Sequence, residues 1–176
     1  MSSNSPETDA LLAELPEADA FRPEEFRAWR GLIRIRESAM REIDRRLRAA
    51  GELNLGDYGV LIALVGAPDM RLRMSDLGAR RLLTPSGITR VVAGLEKRGL
   101  VGREQDPSDG RGSLAVLTRA GLEALRRAQA IHHRVVRDAY VGRLTPRELD
   151  RLAQLFEKAA PGVISATVWP PTNARP

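Results

Sequence analysis

The fold is decided by residues 84–117, which read TPSGITRVVAGLEKRGLVGREQDPSDGRGSLAVL. Thr84 can cap a helix, and Pro85 suits its first position because proline has no backbone N–H to leave unpaired. Gly99 ends that helix, and the segment 106–112 is rich in turn-forming residues. The predicted elements are a helix over 84–98, a strand over 100–104, a hairpin tip and a return strand over 113–117.

A second short helix is predicted immediately before this one. Ser75 is its expected N-cap, and Leu77 and Leu82 give the apolar side of residues 76–82. The helix over 84–98 has an apolar stripe on one side and polar and basic residues on the other. Two helices joined by a tight turn in this way form a helix-turn-helix, whose second helix enters the major groove of DNA. The hairpin that follows can lie against the DNA backbone beside it.

Apolar residues recur at helical spacing on both sides of this segment. The flanking elements are predicted as a helix over 23–50, a helix over 54–65 begun by Asn54, an extended piece at 71–74, a helix over 118–143 and a capped helix over 145–160. The fold class is therefore mainly α with a small β wing, in the order α-α-(β)-α-α-β-β-α-α. The expected domains are an acidic leader at 1–21, a helical dimerisation region at 22–53 and 118–162, a winged helix-turn-helix domain at 54–117 and a proline-rich tail at 163–176.

The charge is unevenly distributed along the chain. The first 20 residues contain five acids and no base, so the formal net charge of +5 becomes +10 for the remainder. Lys97 and Lys158 are the only lysines among 28 basic residues. Guanidinium groups suit phosphate oxygens and guanine edges better than ammonium groups do, although codon bias explains an arginine excess equally well. A basic body with an acidic leader is typical of a protein that binds a polyanion.

The composition also excludes several classes of protein. No cysteine is present, which excludes disulfides, thiolate zinc sites and a cysteine redox switch. No apolar run of about 18 residues occurs, so a membrane span is not expected, and the acidic N-terminus argues against a secretory signal. The sequence has no nucleophile–base constellation, phosphate-cradling glycine loop or metal cluster, so neither an enzyme nor a cofactor is predicted. The expected location is the cytoplasm.

The chain resembles the MarR family of bacterial transcriptional regulators over residues 26–160. The resemblance rests on Leu95-Glu96-Lys97-Arg98-Gly99-Leu100-Val101, on Asp109-Gly110-Arg111 at the hairpin tip, and on Leu117-Thr118 leading to Gly121. Each motif alone is weak, but their order and spacing between a helix-turn-helix and a long helix are specific. The resemblance implies a homodimeric winged-helix DNA-binding protein whose terminal helices interlock. It also implies a response, seen in many such proteins, to a small phenolic or anionic ligand.

The predicted DNA-binding residues lie mainly on the helix over 84–98 and on the wing. Backbone N–H groups and hydroxyls at a helix start can bind phosphate, Gly87 allows close approach to a base edge, and Arg90 can reach guanine O6 and N7. By the resemblance, Arg111 reaches the minor groove and Asp109 holds the wing loop. The full predicted set is Arg73, Ser75, Arg80, Thr84, Ser86, Gly87, Thr89, Arg90, Arg103, Asp109 and Arg111.

Four arginines near the helix-turn-helix, two of them in the set above, allow more than one interpretation. Arg71, Arg73, Arg80 and Arg81 each fit a contact to the DNA backbone, a structural ion pair or a solvated face. Arg80 and Arg81 are adjacent on a helix and cannot point the same way, so one of them is expected to face phosphate.

Two other sites are predicted around the flanking helices. Those helices carry more apolar surface than one small domain needs, which predicts a dimer interface. Its predicted residues include Phe26, Met40, Val135, Leu152 and Phe156. An effector pocket is predicted between the dimer helices and the winged domain, although each lining residue is also explained by ordinary packing. Its predicted lining is Trp29, Arg30, Ile33, Tyr58, Ile62 and His132.

Some ligands are disfavoured at this stage. The adjacent His132 and His133 point about 100° apart on a helix, so no metal site is predicted. The urate-responding branch of the resembled family carries an acid where this chain has Gly59, so urate is not the expected effector. The peroxide-sensing branch needs a cysteine, which this chain lacks.

Taken together, these patterns predict a homodimeric, sequence-specific DNA-binding transcriptional regulator. It is expected to act as a repressor that a small molecule relieves, on a pseudo-palindromic double-stranded operator. The alternative is a winged-helix module that serves DNA architecture or protein interaction without a ligand response.

Overall fold

The computed structural model describes residues 21–51, 53–81, 83–106 and 109–162, and for residues 109–111 only the backbone. Its elements are α1 (Pro23–Ala49), α2 (Leu55–Val65), β1 (Arg71–Arg73), α3 (Met74–Arg81), α4 (Pro85–Lys97), β2 (Val101–Asp106), β3 (Asp109–Leu117), α5 (Arg119–Ala139) and α6 (Pro146–Ala159). Short 3-10 turns occur at Pro68–Met70 and Val141–Arg143. This order confirms the predicted fold class. Residues 1–20 of the predicted leader and the tail at 163–176 lie outside the described residues.

The chain divides into two compact units, with the boundary after Glu37. In the first unit the described residues are 21–37, which hold the N-terminal part of α1. Arg22 pairs there with Glu25, with 2.6 Å between Nη2 and Oε1, and so closes the first turn. Glu24 and Glu25 both lie in that turn, where the positive end of the helix dipole favours acids.

The core of the second unit is aliphatic and surrounds α2. Val60, Leu61 and Leu64 of this helix are fully buried. The other large residues that are fully buried include Ile43 and Leu47 of α1, Leu77 of α3, Ile88, Val92 and Leu95 of α4, Val101 of β2, and Leu125 and Val135 of α5. A helix that is apolar on nearly all sides is stable in water only when other elements cover it. α2 is therefore the central support for the elements around it.

The three strands form one antiparallel sheet in the order β1-β3-β2. Leu72 of β1 lies opposite Ala115 of β3, and both are buried. Side chains alternate between the faces of a sheet, so Arg71 and Arg73 lie on the face opposite to Leu72, and both are exposed. One face of the sheet thus covers the core, and the other carries charged residues.

Most of the predicted helix starts are confirmed, but that of α3 is wrong. Asn54 and Asp57 form a capping box at α2, as Thr145 and Glu148 do at α6. Ser75, in contrast, is not an N-cap, because α3 begins at Met74 directly after β1. The pairing of β1 with β3 keeps the chain extended up to the first helical residue. The Ser75 hydroxyl instead donates to Oδ1 of Asp76 at 3.3 Å.

Two predicted boundaries also shift. β2 runs on to Asp106 and β3 begins at Asp109, so the hairpin is longer than expected. α5 ends at Ala139 instead of residue 143, because Tyr140 has φ −129° and ψ −78° and leaves the helical conformation. A 3-10 turn then leads towards α6.

The helix glycines of this fold differ in what a methyl group would meet. At Gly121 an added Cβ would overlap the backbone carbonyl of Leu100, whereas at Gly94 nothing lies within 4 Å. We expect Gly121→Ala to lower the free energy of unfolding by about 1–3 kcal/mol, because the backbone has to shift. Gly94→Ala is the matched control and should raise it by about 0.5–1 kcal/mol through helix propensity. Urea unfolding of both variants measures the difference, and equal effects would contradict the proposed close approach at Gly121.

Candidate nucleic-acid interface

The start of α4 is fixed by its own side chains. The Thr84 hydroxyl accepts a hydrogen bond from the backbone N–H of Gly87 at 3.1 Å, and Pro85 occupies the first helical turn. The backbone N–H of Ile88 already bonds the carbonyl of Thr84 at 2.9 Å. Proline has no N–H, so within the described residues the amide of Ser86 is the one in this first turn left for an anion. The start of α4 therefore offers an anion fewer free backbone N–H groups than an uncapped helix start would.

Predicted contact residues share the exposed side of α4. Ile88, Val92 and Leu95 point into the core, so the opposite side of the helix is presented to solvent. The structure brings together there the predicted residues Thr84, Ser86, Gly87, Thr89 and Arg90, of which all but the half-buried Gly87 are exposed. The Thr89 hydroxyl donates to the carbonyl of Pro85 at 2.8 Å. Thr89 can therefore offer DNA its methyl group or an acceptor lone pair, but not its hydroxyl hydrogen.

Arg90 is a cation of this surface that the described residues leave unpaired. It is exposed, and it has no hydrogen bond or ion pair with any residue in the described ranges. Gly94 and Lys97 continue the same exposed stripe at helical spacings of four and three residues. The sequence analysis missed these two residues as candidates. The helical period counted onward from Arg90 is the signal that identifies them.

The end of α4 is fixed by a glycine and by an ion pair. Gly99 has φ +69°, and the N–H groups of Gly99 and Leu100 bond back to the carbonyls of Glu96 and Leu95. This pair of hydrogen bonds closes a helix whose last turn ends in a residue with left-handed backbone conformation. Glycine adopts that conformation without strain. Next to it, Arg98 Nη1 lies 2.9 Å from Oδ2 of Asp57, which is nearly buried at the start of α2. The end of α4 is thereby tied to the central helix of the core.

Ion pairs tie the strands of the wing to their neighbours. Arg73 Nε lies 2.6 Å from Oδ2 of Asp106, and Arg71 Nη1 lies 3.0 Å from Oε2 of Glu104. Because β3 lies between β1 and β2, both arginine side chains cross β3 to reach these acids. The Asp106 side chain is only 5% exposed. The two pairs brace the solvent face of the sheet near the base of the hairpin tip.

Two predicted DNA contacts in the wing therefore have structural partners. Arg73 pairs with Asp106, and Arg103 Nε lies 3.1 Å from Oε2 of Glu96 on α4. The first pair joins β1 to β2, and the second joins β2 to α4. The side chains of Asp109 and Arg111 lie outside the described residues, so their predicted roles stay predictions. Asp106, which the sequence analysis treated only as part of a turn, is one of two acids that the structure places in ion pairs within the wing.

The two adjacent arginines of α3 lie in different environments. Arg80 is exposed, whereas Arg81 is half-buried, as expected for neighbours about 100° apart on a helix. Burial lowers the pKa of the Arg81 guanidinium group. Arg80 is therefore the member of the pair that is available to phosphate, beside the exposed Ser75 in the same helix.

Two of the residues predicted to line an effector pocket are in contact. The rings of Tyr58 and His132 stack with centroids 5.2 Å apart, and Nδ1 of His132 is buried without a hydrogen-bond partner in the described residues. Burial raises the pKa of Tyr58 to about 12, and burial followed by the charge of His133 lowers the pKa of His132. Ile62 is partly buried against the core.

The remaining predicted pocket residues belong to the first unit. Trp29 is 53% exposed, and Ile33 is half-buried. The guanidinium carbon of Arg30 lies 5.8 Å from the ring centroid of Phe26, a separation that fits a cation–π contact. These residues are thus a partly exposed apolar and cationic group on α1.

One of the predicted dimer-interface residues is corrected by the structure. Val135 is 1% exposed and lies in the core of its own chain, so it has no surface left for a partner. Met40 is partly buried against the same core. Phe26 and Leu152 are exposed and Phe156 is half-buried, so these three side chains retain surface for a second chain.

Other kinds of site find little support in the described part of the chain. No group of three or more histidine, cysteine, aspartate or glutamate residues there could hold a metal ion. Among the described helices none has the length and apolarity needed to cross a membrane.

The fold and this surface define a class of protein, the winged helix-turn-helix DNA-binding proteins. Comparison with known proteins agrees. The family model described as the MarR family matches residues 52–112. YkoM of Bacillus subtilis, named as an uncharacterized HTH-type transcriptional regulator, is 33% identical over 143 residues, which are 80% of this chain and 91% of YkoM.

Solved structures extend the similarity to three dimensions. Sco3205, a MarR family transcriptional regulator from Streptomyces coelicolor solved in complex with DNA, is 37% identical with a TM-score of 0.71, over 81% of this chain and 92% of that one. AbsC from the same organism, also a MarR family regulator, is 30% identical with a TM-score of 0.72, over 82% of this chain and 97% of that one. The chain belongs to the MarR family. It is a DNA-binding transcriptional regulator and not an enzyme.

The nearly buried Asp106 allows a test of its ion pair with Arg73. We expect Asp106→Asn to lower the free energy of unfolding by about 1–3 kcal/mol, because Arg73 loses a charged partner that is shielded from water. The matched control is Glu104→Gln, whose ion pair is exposed and should be worth less than about 1 kcal/mol. Urea unfolding compares the two, and a larger effect at Glu104 would show that Asp106 does not hold the wing.

The buried phenol of Tyr58 gives a pH test. Its pKa in the folded chain is about 12, above the ordinary value of 10. Between these two values the unfolded chain gives up the proton first, so stability falls as the pH rises through this range. Tyr58→Phe should remove that loss, and Tyr140→Phe should leave it in place. The free energy of unfolding measured on both sides of pH 10 decides, and an unchanged slope in Tyr58→Phe would contradict the burial of this hydroxyl.

Proposed function

We propose that this protein is a homodimeric, sequence-specific repressor that a small phenolic or anionic ligand releases from DNA. The observation that carries the proposal is the exposed side of α4, where Arg90 is a cation without a partner among the described residues, on a helix fixed at both ends. A rigid helix that presents an unpaired guanidinium suits bidentate recognition of guanine in the major groove. The site of action is then the chromosome, which places the protein in the cytoplasm.

Dimerisation is supported by apolar surface that a single chain leaves open. α6 is amphipathic, yet none of its residues is buried, and Leu152 and Leu155 are 36% and 46% exposed. In the first unit Phe26, Trp29 and Ile35 are also exposed. Clusters of exposed apolar residues at this density mark interaction surfaces. In the proposed dimer, a second copy of the chain covers these apolar residues.

A dimer would set the geometry of the operator. Two recognition helices related by a two-fold axis fit major grooves one helical turn apart, which is about 34–36 Å. The operator should then be a pseudo-palindrome, with the hairpin tips at the flanking minor grooves. A ligand that moves the two winged domains relative to one another would spoil this spacing.

Relatives support repression and the binding of a small ligand. IacR of Pseudomonas putida, 26% identical over 142 residues, is named as an HTH-type transcriptional repressor. CouR from Rhodococcus jostii, 26% identical with a TM-score of 0.61, was solved with p-coumaroyl-CoA bound. That ligand carries a phenol and several phosphates, which agrees with the phenolic or anionic class proposed for this chain.

A DNA-binding assay tests the proposed roles of two arginines. On the chain's own promoter region and a scrambled control, Arg90→Ala should reduce discrimination by about 1–3 kcal/mol, since it loses a bidentate base contact. Arg111→Ala should weaken binding to both sequences and make the salt dependence shallower. Arg147→Ala, an exposed arginine of α6, is the control and should bind as wild type does. Equal affinity of wild type for both sequences would sink the claim of specificity.

A second experiment tests the dimer through α6. Leu152→Glu places a charge on the exposed apolar side of this helix and should shift the protein towards monomer in sedimentation. Gln154→Glu adds the same charge at an exposed polar position and should leave the dimer intact. If both variants sediment as wild type, α6 does not form the interface.

A further inference from the structure

The hydroxyl group of Thr89 is bonded to its own helix. Oγ1 of Thr89 donates to the carbonyl oxygen of Pro85, one turn earlier in α4, at 2.8 Å. The carbonyl group has no hydrogen to give, so this bond uses the one hydrogen of the hydroxyl group. The methyl carbon Cγ2 is the other heavy atom on Cβ, and it stands about 120° from Oγ1 in a staggered side chain. The bond that holds Oγ1 against the backbone therefore also fixes the position of the methyl group.

Thr89 lies on the side of α4 that faces solvent. It is exposed, as is the neighbouring Arg90, whereas Ile88 and Val92 are buried in the core. Its only hydrogen-bond donor is used within the helix, so its free surface consists of the methyl group and the remaining lone pair of Oγ1. Thr89 thus offers a fixed apolar group where an unbonded threonine would offer a donor.

The next turn of α4 leaves room for a close approach. Ala93 lies four residues after Thr89 on the same side and carries no more than a methyl group. At Gly94 an added methyl group would meet no atom of the described chain within 4 Å. Two methyl groups attract each other best when their carbons are about 3.5–4.0 Å apart. A side chain as short as that of Thr89 can reach a base at this distance, because neither Ala93 nor Gly94 holds the helix away.

We propose that Thr89 recognises the C5 methyl group of a thymine in the major groove, and that this contact fixes one base of the operator. The methyl group distinguishes thymine in that groove, and apolar side-chain groups can contact it. The same methyl group is carried by 5-methylcytosine, which is a second source of this chemistry. Recognition of this kind rests on the proposed function, because it requires sequence-specific binding.

The bond to Pro85 argues against the two polar ways in which a threonine can recognise a base. To donate to a base, the hydroxyl group has to give up the carbonyl of Pro85, so one hydrogen bond replaces another with little net gain. To accept from an amino group of adenine or cytosine, Oγ1 has to be approached beside the helix backbone on which it lies. The methyl group needs no such exchange, and its removal from water stabilises the complex.

Removal of single methyl groups from the operator tests the contact. The operator is first selected from random duplex DNA with the wild-type chain. Each thymine is then replaced in turn by deoxyuridine, which lacks the C5 methyl group and keeps both carbonyl groups of the base. We expect one position in each half-site where uracil weakens binding roughly fourfold, the value of one buried methyl group. Fluorescence anisotropy of labelled duplexes at constant salt measures the dissociation constants.

Two conservative variants assign the effect to Thr89. Thr89→Ser keeps the hydroxyl group and its bond to Pro85 but has no methyl group, so it should bind the thymine and uracil duplexes alike. Thr89→Val keeps a methyl group and replaces the hydroxyl group by a second one, so it should prefer thymine as wild type does. At every other thymine the three proteins should show the same preference. Circular dichroism checks that both variants keep the helical content of wild type.

A methylated cytosine separates the methyl group from the rest of thymine. At the position that responds to uracil, the thymine–adenine pair is replaced by cytosine–guanine and by 5-methylcytosine–guanine. Wild type should bind the methylated duplex roughly fourfold more tightly than the unmethylated one, and Thr89→Ser should bind both alike. Equal binding of the two duplexes by wild type would overturn the proposed methyl contact, because the methyl group alone would then carry no preference.

Three results with thymine and uracil would also overturn the role of Thr89. One is that no thymine of the operator responds to uracil in wild type. Another is that Thr89→Ser keeps the full preference for thymine, which would assign the contact to a different residue. The third is that Thr89→Val loses the preference, which would identify Oγ1 as the group that recognises the base. The proposed function fails by a different result, namely that selection from random DNA yields no preferred sequence.

Discussion

The orientation of α4 depends on one nearly buried carboxylate. Asp57 completes the capping box of α2 and also holds Arg98, which directly follows the last residue of α4. Because Asp57 is shielded from solvent, this pair is screened less than an ion pair on an open surface. It joins the end of the exposed helix to the helix around which the core is built. The pair between Arg103 and Glu96 then joins α4 to β2. The helix that exposes Arg90 is thus joined by ion pairs both to α2 and to β2.

What could be predicted from the sequence was decided by local chemistry. Caps and glycine stops depend on neighbouring residues, and Asn54, Thr84 and Gly99 act as the sequence predicts. The partners of the charged residues could not be predicted in this way. Arg73 meets Asp106 because the register of β1 and β2 on either side of β3 brings them together, and that register is not written in the residues themselves.

The same limit applies to the apolar residues of α5. Helical periodicity identifies which side of α5 is buried, but not whether its own chain or a partner covers it. Val135 was therefore predicted to contact a second copy, although it lies in the core of its own chain.

Net charge is a limited guide to DNA binding for a related reason. Several arginines of the winged domain are engaged with acids of the same chain, so the basic excess overstates the charge that the surface offers to DNA.

The continuity of β1 with α3 has a mechanical consequence. Arg73 is the last residue of the strand and Met74 is the first residue of the helix, so no linker separates them. A tilt of β1 would therefore also tilt the first turn of α3. The Arg73–Asp106 pair ties β1 to β2, so the two strands would tilt together. We therefore expect the hairpin and α3 to move together as one body.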